Sequence, residues 1–359
     1  MALLGFDSGE ATRYPTYTTN PTAGWVKIAN QPSQWEVNLI YTDNGAGGAG
    51  VQTTTKYSGT TAFRVTGYTG SNWGAMRRTF SAAALSESYV SLMFTVDSLS
   101  KDILTLSDAA MATQVRVYMS ATGQILVYAG ATLKQTITTG WAANEWHSLQ
   151  VHHKVSDNTL EVKLDGVLTD CSGTTTAAWF YLTLGRSSAW TLAGSVYADC
   201  IQVNDVSGSV NNSWPGSPKI LTAQRPSVDT AVTDWTRDGG SNDFDRIKEV
   251  SPDLDTTYVY SQLDGDTSTY GIGAISEPAN AVIVGVCLTA VAKRADAAFL
   301  IPVISRGGVT PNLTAIEKAV GSDYMAPIEW FFETDPITGI AWTQTDLNAT
   351  EFGFKHSIT

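Results

Sequence analysis

The sequence predicts an all-β protein, with an N-terminal jelly-roll sandwich followed by a smaller β-rich domain. Three observations favour this fold class. Apolar and polar residues alternate over short segments, turn residues recur at intervals of roughly 8–12 positions, and helix signals are scarce. Only 16% of the 359 residues are charged. Ser, Thr, Asn, Gln and Gly must therefore cover much of the surface, which suits sheets whose wet faces carry Thr.

Two hairpins give the clearest strand signals. The stretch TQVRVYMSATGQILVYAG carries apolar residues of one face on both sides of a turn at 121–123, namely Val115, Val117, Met119, Ile125 and Val127. The stretch 147–164 repeats this pattern around a turn at 156–158, with Leu149, Val151, Leu160, Val162 and Leu164. Both are alternating strands joined by short turns.

Three further segments complete the strand prediction. AWFYLTLG (178–185) is almost continuously apolar and is predicted to be a central strand. AVIVGVCLTAVA (281–292) is predicted to be a buried strand pair or one long central strand. In GSVYADCIQVN (194–204), alternation places Val196 and Cys200 on one face and Tyr197, Asp199, Ile201 and Val203 on the other.

The best domain boundary is the stretch WPGSPKILTAQRP at 214–226, which carries three prolines. Proline lacks the N–H that a β-ladder needs, so strands stop there. We therefore expect a jelly-roll domain at 1–215, a linker at 216–226 and a β-rich domain at 227–359.

Composition argues against several classes of protein. The net charge is −12 and no cluster of Lys and Arg occurs, which argues against a nucleic-acid partner. Apolar runs do not reach the roughly 18 residues of a membrane span. The N-terminus lacks the basic region of a signal peptide, so we expect synthesis in a cytoplasm and a soluble protein. Cys171, Cys200 and Cys287 form no Cys-x-x-Cys motif and are expected to be reduced thiols.

The stretch NEWHSLQVHHKVSDNTLEVKLDGVL (144–168) carries the first resemblance to a known fold. Trp146 is expected to anchor the start of its first strand in the core, and Asp165-Gly166 to form a tight turn. This pattern resembles the core hairpin of concanavalin A-like, laminin G-like jelly rolls. The resemblance implies that fold for the N-terminal domain.

Longer segments resemble structural proteins of tailed-bacteriophage virions. They are YADCIQVNDVSGSVNNSWPG (197–216), TDWTRDGGSNDFDRIKEVSPDLDTTYV (233–259), FFETDPITGIAWTQTDLNATEFGFK (331–355) and the start LLGFDSGE. The resemblance implies a non-enzymatic component of the virion surface, as a capsid decoration, fibre or tail-associated protein. It implies other virion proteins and further copies of this chain as partners, with a host-surface glycan as a further contact. The alternatives are a carbohydrate-binding adhesin and a glycan depolymerase.

The sequence offers little support for catalysis. Jelly-roll glucanases pair carboxylates on one strand face, and no Glu-x-Asp-x-x-Glu string occurs here. Glu161, Lys163 and Asp165 share a face that we expect to be a solvated ion-paired surface. His152 and His153 are neighbours on a strand and point to opposite sides, so they cannot readily bind one metal ion. We expect a chain that is not an enzyme.

Calcium remains open as a ligand. Asp165, Asp199, Asp205 and Asn211 lie at strand ends and could supply oxygen ligands, as could the acidic run Asp243, Asp245, Asp253 and Asp255. Asp and Asn also hold turns through bonds to their own backbone, and we favour that role. No cofactor is therefore expected.

A sugar site would need exposed aromatic rings flanked by polar groups. Four loop-adjacent tryptophans are candidates: Trp73, Trp141, Trp190 and Trp214. Tryptophan is also a frequent core residue, so packing inside the protein is the alternative for each of them.

Overall fold

The computed structural model divides the chain into two units, Met1–Thr222 and Ala223–Thr359. The division falls inside the proline-bearing stretch 214–226. The structure describes residues 3–7, 26–27, 35–37, 48–52, 54–58, 62–67, 75–185, 194–207, 210–217, 219, 226–248, 255–275, 281–322 and 328–358.

The first unit consists of sixteen described strands. They are β1 (Leu3–Asp7), β2 (Val26–Lys27), β3 (Trp35–Val37), β4 (Gly48–Gln52), β5 (Ala62–Gly67), β6 (Ala75–Arg78), β7 (Glu87–Val96), β8 (Lys101–Ser107), β9 (Thr113–Met119), β10 (Ile125–Ala129), β11 (Thr132–Ile137), β12 (His147–Lys154), β13 (Thr159–Leu164), β14 (Val167–Asp170), β15 (Tyr181–Gly185) and β16 (Gly194–Asn204).

These strands form two antiparallel eight-stranded sheets. The first sheet has the order β14-β13-β12-β7-β16-β5-β4, with β1 paired to β16. The second has the order β11-β10-β9-β8-β15-β6-β3-β2. One apolar core takes side chains from both sheets, so they pack face to face as a sandwich. The predicted all-β fold class is confirmed, and β15 is an interior strand of its sheet.

The core contains the apolar residues of both predicted hairpins. Val115, Val117, Ile125 and Val127 of the second sheet are fully buried, as are Leu149, Val151 and Val162 of the first. Trp179 is the largest fully buried side chain in the described part of the chain, and its indole N–H donates to Ser88 Oγ at 2.8 Å. The expectation for Trp146 was wrong, because this ring is half-buried at the start of β12 and lies 5.8 Å from the Tyr57 ring.

A β-bulge corrects the predicted faces of β16. The pairing of β16 with β7 is irregular between Asp199 and Gln202, and Cys200 adopts a positive φ of 50°. An extra residue in a strand reverses the alternation beyond it. Val196, Ala198, Ile201 and Val203 therefore all belong to the core, whereas simple alternation put Val196 and Ile201 on opposite faces.

The turn between β13 and β14 follows the prediction. Asp165 and Gly166 have φ values of 48° and 85°. Two successive positive φ values are the requirement of the tight hairpin turns that Asp-Gly favours.

The segment 213–217 covers part of the outer face of the first sheet. The Gly216 N–H donates to Gln150 Oε1 at 3.0 Å, and Ser91 Oγ donates to the Gly216 carbonyl oxygen at 2.9 Å. Asn204 Nδ2 donates to the Ser213 carbonyl oxygen at 3.1 Å. The chain thus continues as packed structure through the start of the predicted linker.

The second unit contains nine described strands and a short α-helix. They are β17 (Pro226–Thr233), β18 (Thr236–Arg237), β19 (Val259–Tyr260), β20 (Thr267–Ile272), β21 (Val286–Ala290), β22 (Phe299–Ser305), β23 (Lys318–Ala319), β24 (Ile328–Phe332), α1 (Gln344–Asn348) and β25 (Glu351–Ser357), with 3-10 turns at Phe244–Arg246 and Thr314–Ile316.

The main sheet of this unit has the order β17-β20-β25-β22-β23, and β18-β19 and β21-β24 form two small sheets. Its central strand is β25, where a Cβ on Gly353 would lie 1.9 Å from the Ser268 carbonyl oxygen. The expectation for 281–292 was wrong. Only β21 forms there, half-buried in a two-stranded sheet, because its apolar residues pair with β24 alone.

Helices in the described part of the chain are too short or too polar to span a membrane.

Candidate functional site

A cleft of about 410 Å³ opens on the outer face of the second sheet. It lies over strands β8, β9 and β15 and over the turn that joins β10 to β11. Six of its ten lining residues have polar side chains, and the lining consists of Asp102, Thr105, Ser107, Met111, Thr113, Arg116, Gly130, Ala131, Thr183 and Gly185. Their apolar neighbours along each strand belong to the core, so strand alternation places this polar set outside.

Strand register aligns the middle of the cleft. Thr105 of β8 is paired with Thr183 of β15 on one side and with Arg116 of β9 on the other. Arg116 is in turn paired with Tyr128 of β10. Directly paired residues share a face, so four neighbouring strands contribute one row of side chains.

A bulge brings the acidic residue into this row. Between Asp102 and Leu104 the pairing of β8 with β9 is irregular, and both Ile103 and Leu104 are buried in the core. Asp102 and Thr105 are an odd number of residues apart and would face opposite ways in a regular strand. The extra residue returns Asp102 to the outer face, where it forms an ion pair with Arg116 Nε.

Arg116 is held in place on several sides. Its guanidinium carbon lies 4.9 Å from the Tyr118 ring centroid and 5.2 Å from that of Tyr128. Arg116 keeps 26% of its side chain exposed, whereas Asp102 keeps 1%. A cation over aromatic rings, with a buried counter-ion at one nitrogen, has little freedom to move. The guanidinium is therefore pre-positioned in the cleft.

Two hydroxyl groups at the cleft have unmet hydrogen-bonding capacity. Thr183 is 4% exposed and Ser107 is 2% exposed, and both line the cleft. Among the described residues, neither Thr183 Oγ1 nor Ser107 Oγ has a hydrogen-bond partner. A buried hydroxyl without a partner costs about 1–3 kcal/mol, so a polar ligand that reached these atoms would recover stabilisation.

A second cation lies over an aromatic ring beside the cleft, in contact with the lining residue Met111. The Arg77 guanidinium carbon lies 4.3 Å from the Tyr181 ring centroid, and its Nη1 lies 2.8 Å from the Met111 sulfur. Asp108 directly follows Ser107 and caps a turn by accepting from the N–H groups of Ala110 and Ala112. Aromatic rings, guanidinium groups and hydroxyls thus lie along one surface.

Asp165 and Asp199 both accept hydrogen bonds from backbone N–H groups. Asp165 accepts from the Ser148 N–H at 2.8 Å and lies 2.8 Å from His147 Nδ1. Asp199 is fully buried and accepts from the N–H groups of Tyr57 and Ser58, each at 3.0 Å, and of Cys200 at 2.7 Å. Burial raises the pKa of Asp199 to about 6, although these hydrogen bonds lower it.

The other proposed calcium ligands lie in turns or ion pairs. Asp205 accepts from the Ser207 N–H at 2.9 Å, and Asn211 has a turn φ of 49°. In the acidic run, Asp243 pairs with Arg237, Asp245 with Lys248 and Asp255 with Lys293, while Asp253 lies outside the described residues. Within the described ranges, His, Cys, Asp and Glu form no group of three that could hold a metal ion. The calcium hypothesis stays a prediction.

Two of the four candidate tryptophans are described, and both pack against the protein. Trp141 stacks on His147 with ring centroids 3.6 Å apart. Trp214 lies edge-on to the Tyr89 ring at 5.4 Å, and Lys163 Nζ lies 4.1 Å from its centroid. Trp73 and Trp190 lie outside the described residues. Neither described tryptophan lines the cleft.

The residues considered for catalysis are engaged elsewhere. Glu161 Oε2 lies 2.9 Å from His152 Nδ1, on the outer face of the first sheet. His153 Nε2 lies 2.7 Å from Thr176 Oγ1, and burial lowers the pKa of His153 to about 4. The two histidines have separate partners, as their adjacent positions on a strand predict.

The second unit holds a serine, a histidine and an aspartate in contact. Ser261 Oγ donates to Asp266 Oδ2 at 2.8 Å and lies 3.1 Å from His356 Nδ1, which also lies 2.9 Å from the Leu263 carbonyl oxygen. Nucleophilic catalysis needs the histidine between the serine and the acid. Here the serine is in the middle, so the set braces the turn at 261–266.

Sequence reasoning missed the cleft. The alternation that identified Val115 and Val117 as core residues also placed Arg116 and Tyr118 outside, and this signal was available. The outward position of Asp102 could not be predicted from alternation, because a β-bulge determines it.

Comparisons with known proteins give distant likenesses only. No protein family and no curated protein matches the chain. Among solved structures, a cellulose induced protein, Cip1, is 15% identical over 47% of this chain and 90% of its own, with a TM-score of 0.37. A carbohydrate esterase from Shiga toxin-encoding bacteriophage phi24B is 14% identical over 59% of this chain and 99% of its own, with a TM-score of 0.38. Domain 4 of the arabinanase AbnA from Geobacillus stearothermophilus is 13% identical over 57% of this chain and 92% of its own, with a TM-score of 0.38.

Proposed function

We propose that this chain is a non-enzymatic surface component of a bacteriophage virion that binds a saccharide in the cleft of its second sheet. The observation that carries the binding role is Arg116, which is paired with Asp102 and lies over two tyrosine rings, in a cleft that also holds buried hydroxyls without partners among the described residues.

The chemistry of the cleft suits a sugar. A sugar ring has an apolar C–H face that packs on an aromatic side chain and hydroxyls that both donate and accept hydrogen bonds. Arg116 supplies donors and Thr183 and Ser107 supply hydroxyls inside the cleft, while Tyr118 and Tyr128, which contact Arg116, supply aromatic surface beside it. Few polar groups on an aromatic-bearing surface are typical of small-molecule sites.

The acid content of the cleft favours binding over hydrolysis. Two-carboxylate glycoside hydrolysis needs one group to protonate the leaving oxygen and another to attack or to activate water. Asp102 is the sole carboxylate among the described lining residues, and it is ion-paired with Arg116. A paired, nearly inaccessible carboxylate is a poor general acid.

The virion role is supported by the phage-like segments, in which several acidic residues that the structure describes have structural partners. In 331–355, the fully buried Asp335 accepts from the Ile337 N–H at 2.9 Å and from Arg306 Nη2 at 2.5 Å. In 233–259, Arg246 Nε donates to Asp238 at 2.7 Å. These contacts shape loops, which suits a part whose role is mechanical. The partners would be other virion proteins and further copies of this chain.

A glycan array probed with the whole purified chain tests the binding role. We expect retention on a defined set of glycans, weakened by Tyr128→Ala and left intact by Trp214→Ala. A chain that binds no printed glycan, or whose binding depends on Trp214 and not on Tyr128, contradicts the proposed site.

Virion placement needs a separate measurement. Mass spectrometry and electron microscopy of purified particles from a phage that encodes the chain are expected to find it on the particle exterior. Its absence from intact particles contradicts the placement and leaves the sugar-binding role standing.

A further inference from the structure

We infer that the saccharide bound in the cleft is uncharged, because the cleft already balances its own charges. This inference rests on the proposed sugar-binding function. It adds the chemical class of the ligand and assigns to Asp102 the role of setting that class.

The charges in and beside the cleft cancel. Arg116 has Asp102 as its counter-ion inside the cleft. Arg77 lies beside the cleft, over Tyr181 and in contact with the lining residue Met111, and Asp108 follows the lining residue Ser107 in the chain. Among the side chains that the structure describes here, two cations thus stand against two carboxylates, within a protein of net charge −12.

An anionic sugar is disfavoured by this arrangement. A ligand carboxylate at Arg116 would compete with Asp102 for the same guanidinium and lie close to a second negative charge. Like charges brought together at short range repel, more strongly where burial reduces screening by water. The overall negative charge of the protein adds repulsion at long range for an acidic polysaccharide.

An uncharged sugar meets no such cost. Asp102 engages Arg116 through Nε, at the inner edge of the guanidinium. The sugar hydroxyls can accept from the remaining guanidinium N–H groups and exchange hydrogen bonds with Thr183 and Ser107 at the floor. The ion pair itself need not break, so the bulge at Ile103, which turns Asp102 outward, is a specificity device.

The experiment is an array that carries neutral glycans and glycans rich in uronic or sialic acid, probed with the whole chain. We expect binding to neutral glycans only. Retention on acidic glycans overturns this inference and leaves the proposed function intact. Failure to bind either class overturns the proposed function and this inference with it.

The variant Asp102→Asn tests the assigned role directly. It removes the counter-ion while leaving an oxygen that can still accept from Arg116, so the cleft gains one net positive charge. We expect a loss of about tenfold in affinity for the neutral glycan and new binding of its C6-oxidised uronate counterpart. Asp157→Asn, in the exposed turn between β12 and β13, is the matched control and is expected to behave as the unmodified chain. An unchanged preference in Asp102→Asn overturns the role.

A salt series on the unmodified chain decides the matter should Asp102→Asn fail to fold. Binding of an uncharged ligand is expected to change by less than about twofold between roughly 50 and 500 mM NaCl, because no net charge is screened. A fall of about tenfold or more over this range overturns the inference.

Discussion

The outer faces of the two sheets of the first unit both carry polar side chains, but the chain covers part of the first face and leaves a cleft on the second. On the first sheet, the buried residues Ser91 and Gln150 are hydrogen-bonded to Gly216, and Trp214 packs on Tyr89. On the second sheet, Thr183 and Ser107 are equally buried yet have no partner in the described part of the chain, and a cleft lies above them. Two buried atoms of the first face, Thr95 Oγ1 and Gln202 Oε1, likewise have no partner among the described residues. The difference between the two faces is therefore the segment 213–217 that covers the first and the open cleft on the second.

The largest expected effect concerns Asp199, a buried acid on the first sheet. Its folded-state pKa is about 6, against 3.8 when unfolded, so between these values the folded state holds its proton more tightly. Asp199 therefore contributes stability that increases as the pH falls from 7 to 4, by about 2 kcal/mol. In urea denaturation, the free energy of unfolding of the unmodified chain minus that of Asp199→Asn is expected to rise by this amount between pH 7 and pH 4.

The comparison with Asp199→Asn is needed because His153 changes the free energy of unfolding with pH in the opposite direction. Its pKa is lowered to about 4, so the folded state loses stability as the pH falls through this range. Both chains share that effect, and their difference isolates Asp199. If the free energy of unfolding of the unmodified chain minus that of Asp199→Asn stays constant or falls towards pH 4, the raised pKa of Asp199 is contradicted.

Removing the cover of the first sheet is the next largest change. Trp214→Ala loses contacts with Tyr89, His152 and Lys163, and is expected to reduce the free energy of unfolding by about 2 kcal/mol. Glycan binding should not change, because Trp214 lies on the other sheet. Loss of binding without loss of stability would reverse the assignment of the two faces.

A substitution on the second sheet, beside the cleft, is expected to affect binding more than stability. Tyr128→Ala removes one of the rings beside Arg116 and is expected to weaken glycan binding by about tenfold, while stability falls by less than about 1 kcal/mol. Titration calorimetry and thermal unfolding measure the two quantities. A large stability loss with unchanged affinity means that this face is also structural.

Removing one buried hydroxyl from each face compares the two sheets directly, with smaller expected changes in stability. Ser91→Ala removes a hydroxyl that donates to Gly216 and should cost about 1 kcal/mol. Thr183→Val removes a buried hydroxyl without a partner at nearly constant volume and should be neutral or stabilising by up to about 1 kcal/mol. Equal losses in both variants, measured without glycan, would show that Thr183 has a partner after all.

The smallest expected effect is that of removing calcium. Asp165, Asp199 and Asp205 all accept from backbone N–H groups, so a chelator should leave the melting temperature unchanged. A lower melting temperature in EDTA, restored by calcium, would instead support the calcium hypothesis.

Much of the fold could be predicted from local patterns. The two hairpins around 121–123 and 156–158, the turn at Asp165-Gly166 and the interior strand β15 all follow from alternation and turn residues. The errors have physical causes. Alternation cannot reveal a bulge, so the faces of β16 beyond Cys200 were assigned wrongly. Apolar content does not fix the number of neighbouring strands, so 281–292 was expected to be more buried than it is.

The sequence by itself determined that the chain forms short antiparallel strands with polar outer faces, because side-chain alternation and turn chemistry act within a few residues. Only the tertiary structure decided which outer face is closed, since this depends on where 213–217 packs against residues more than 60 positions away. It also decided that Asp102 faces Arg116. A single extra residue reverses the side of every residue beyond it, and the pairing of whole strands determines where that residue lies.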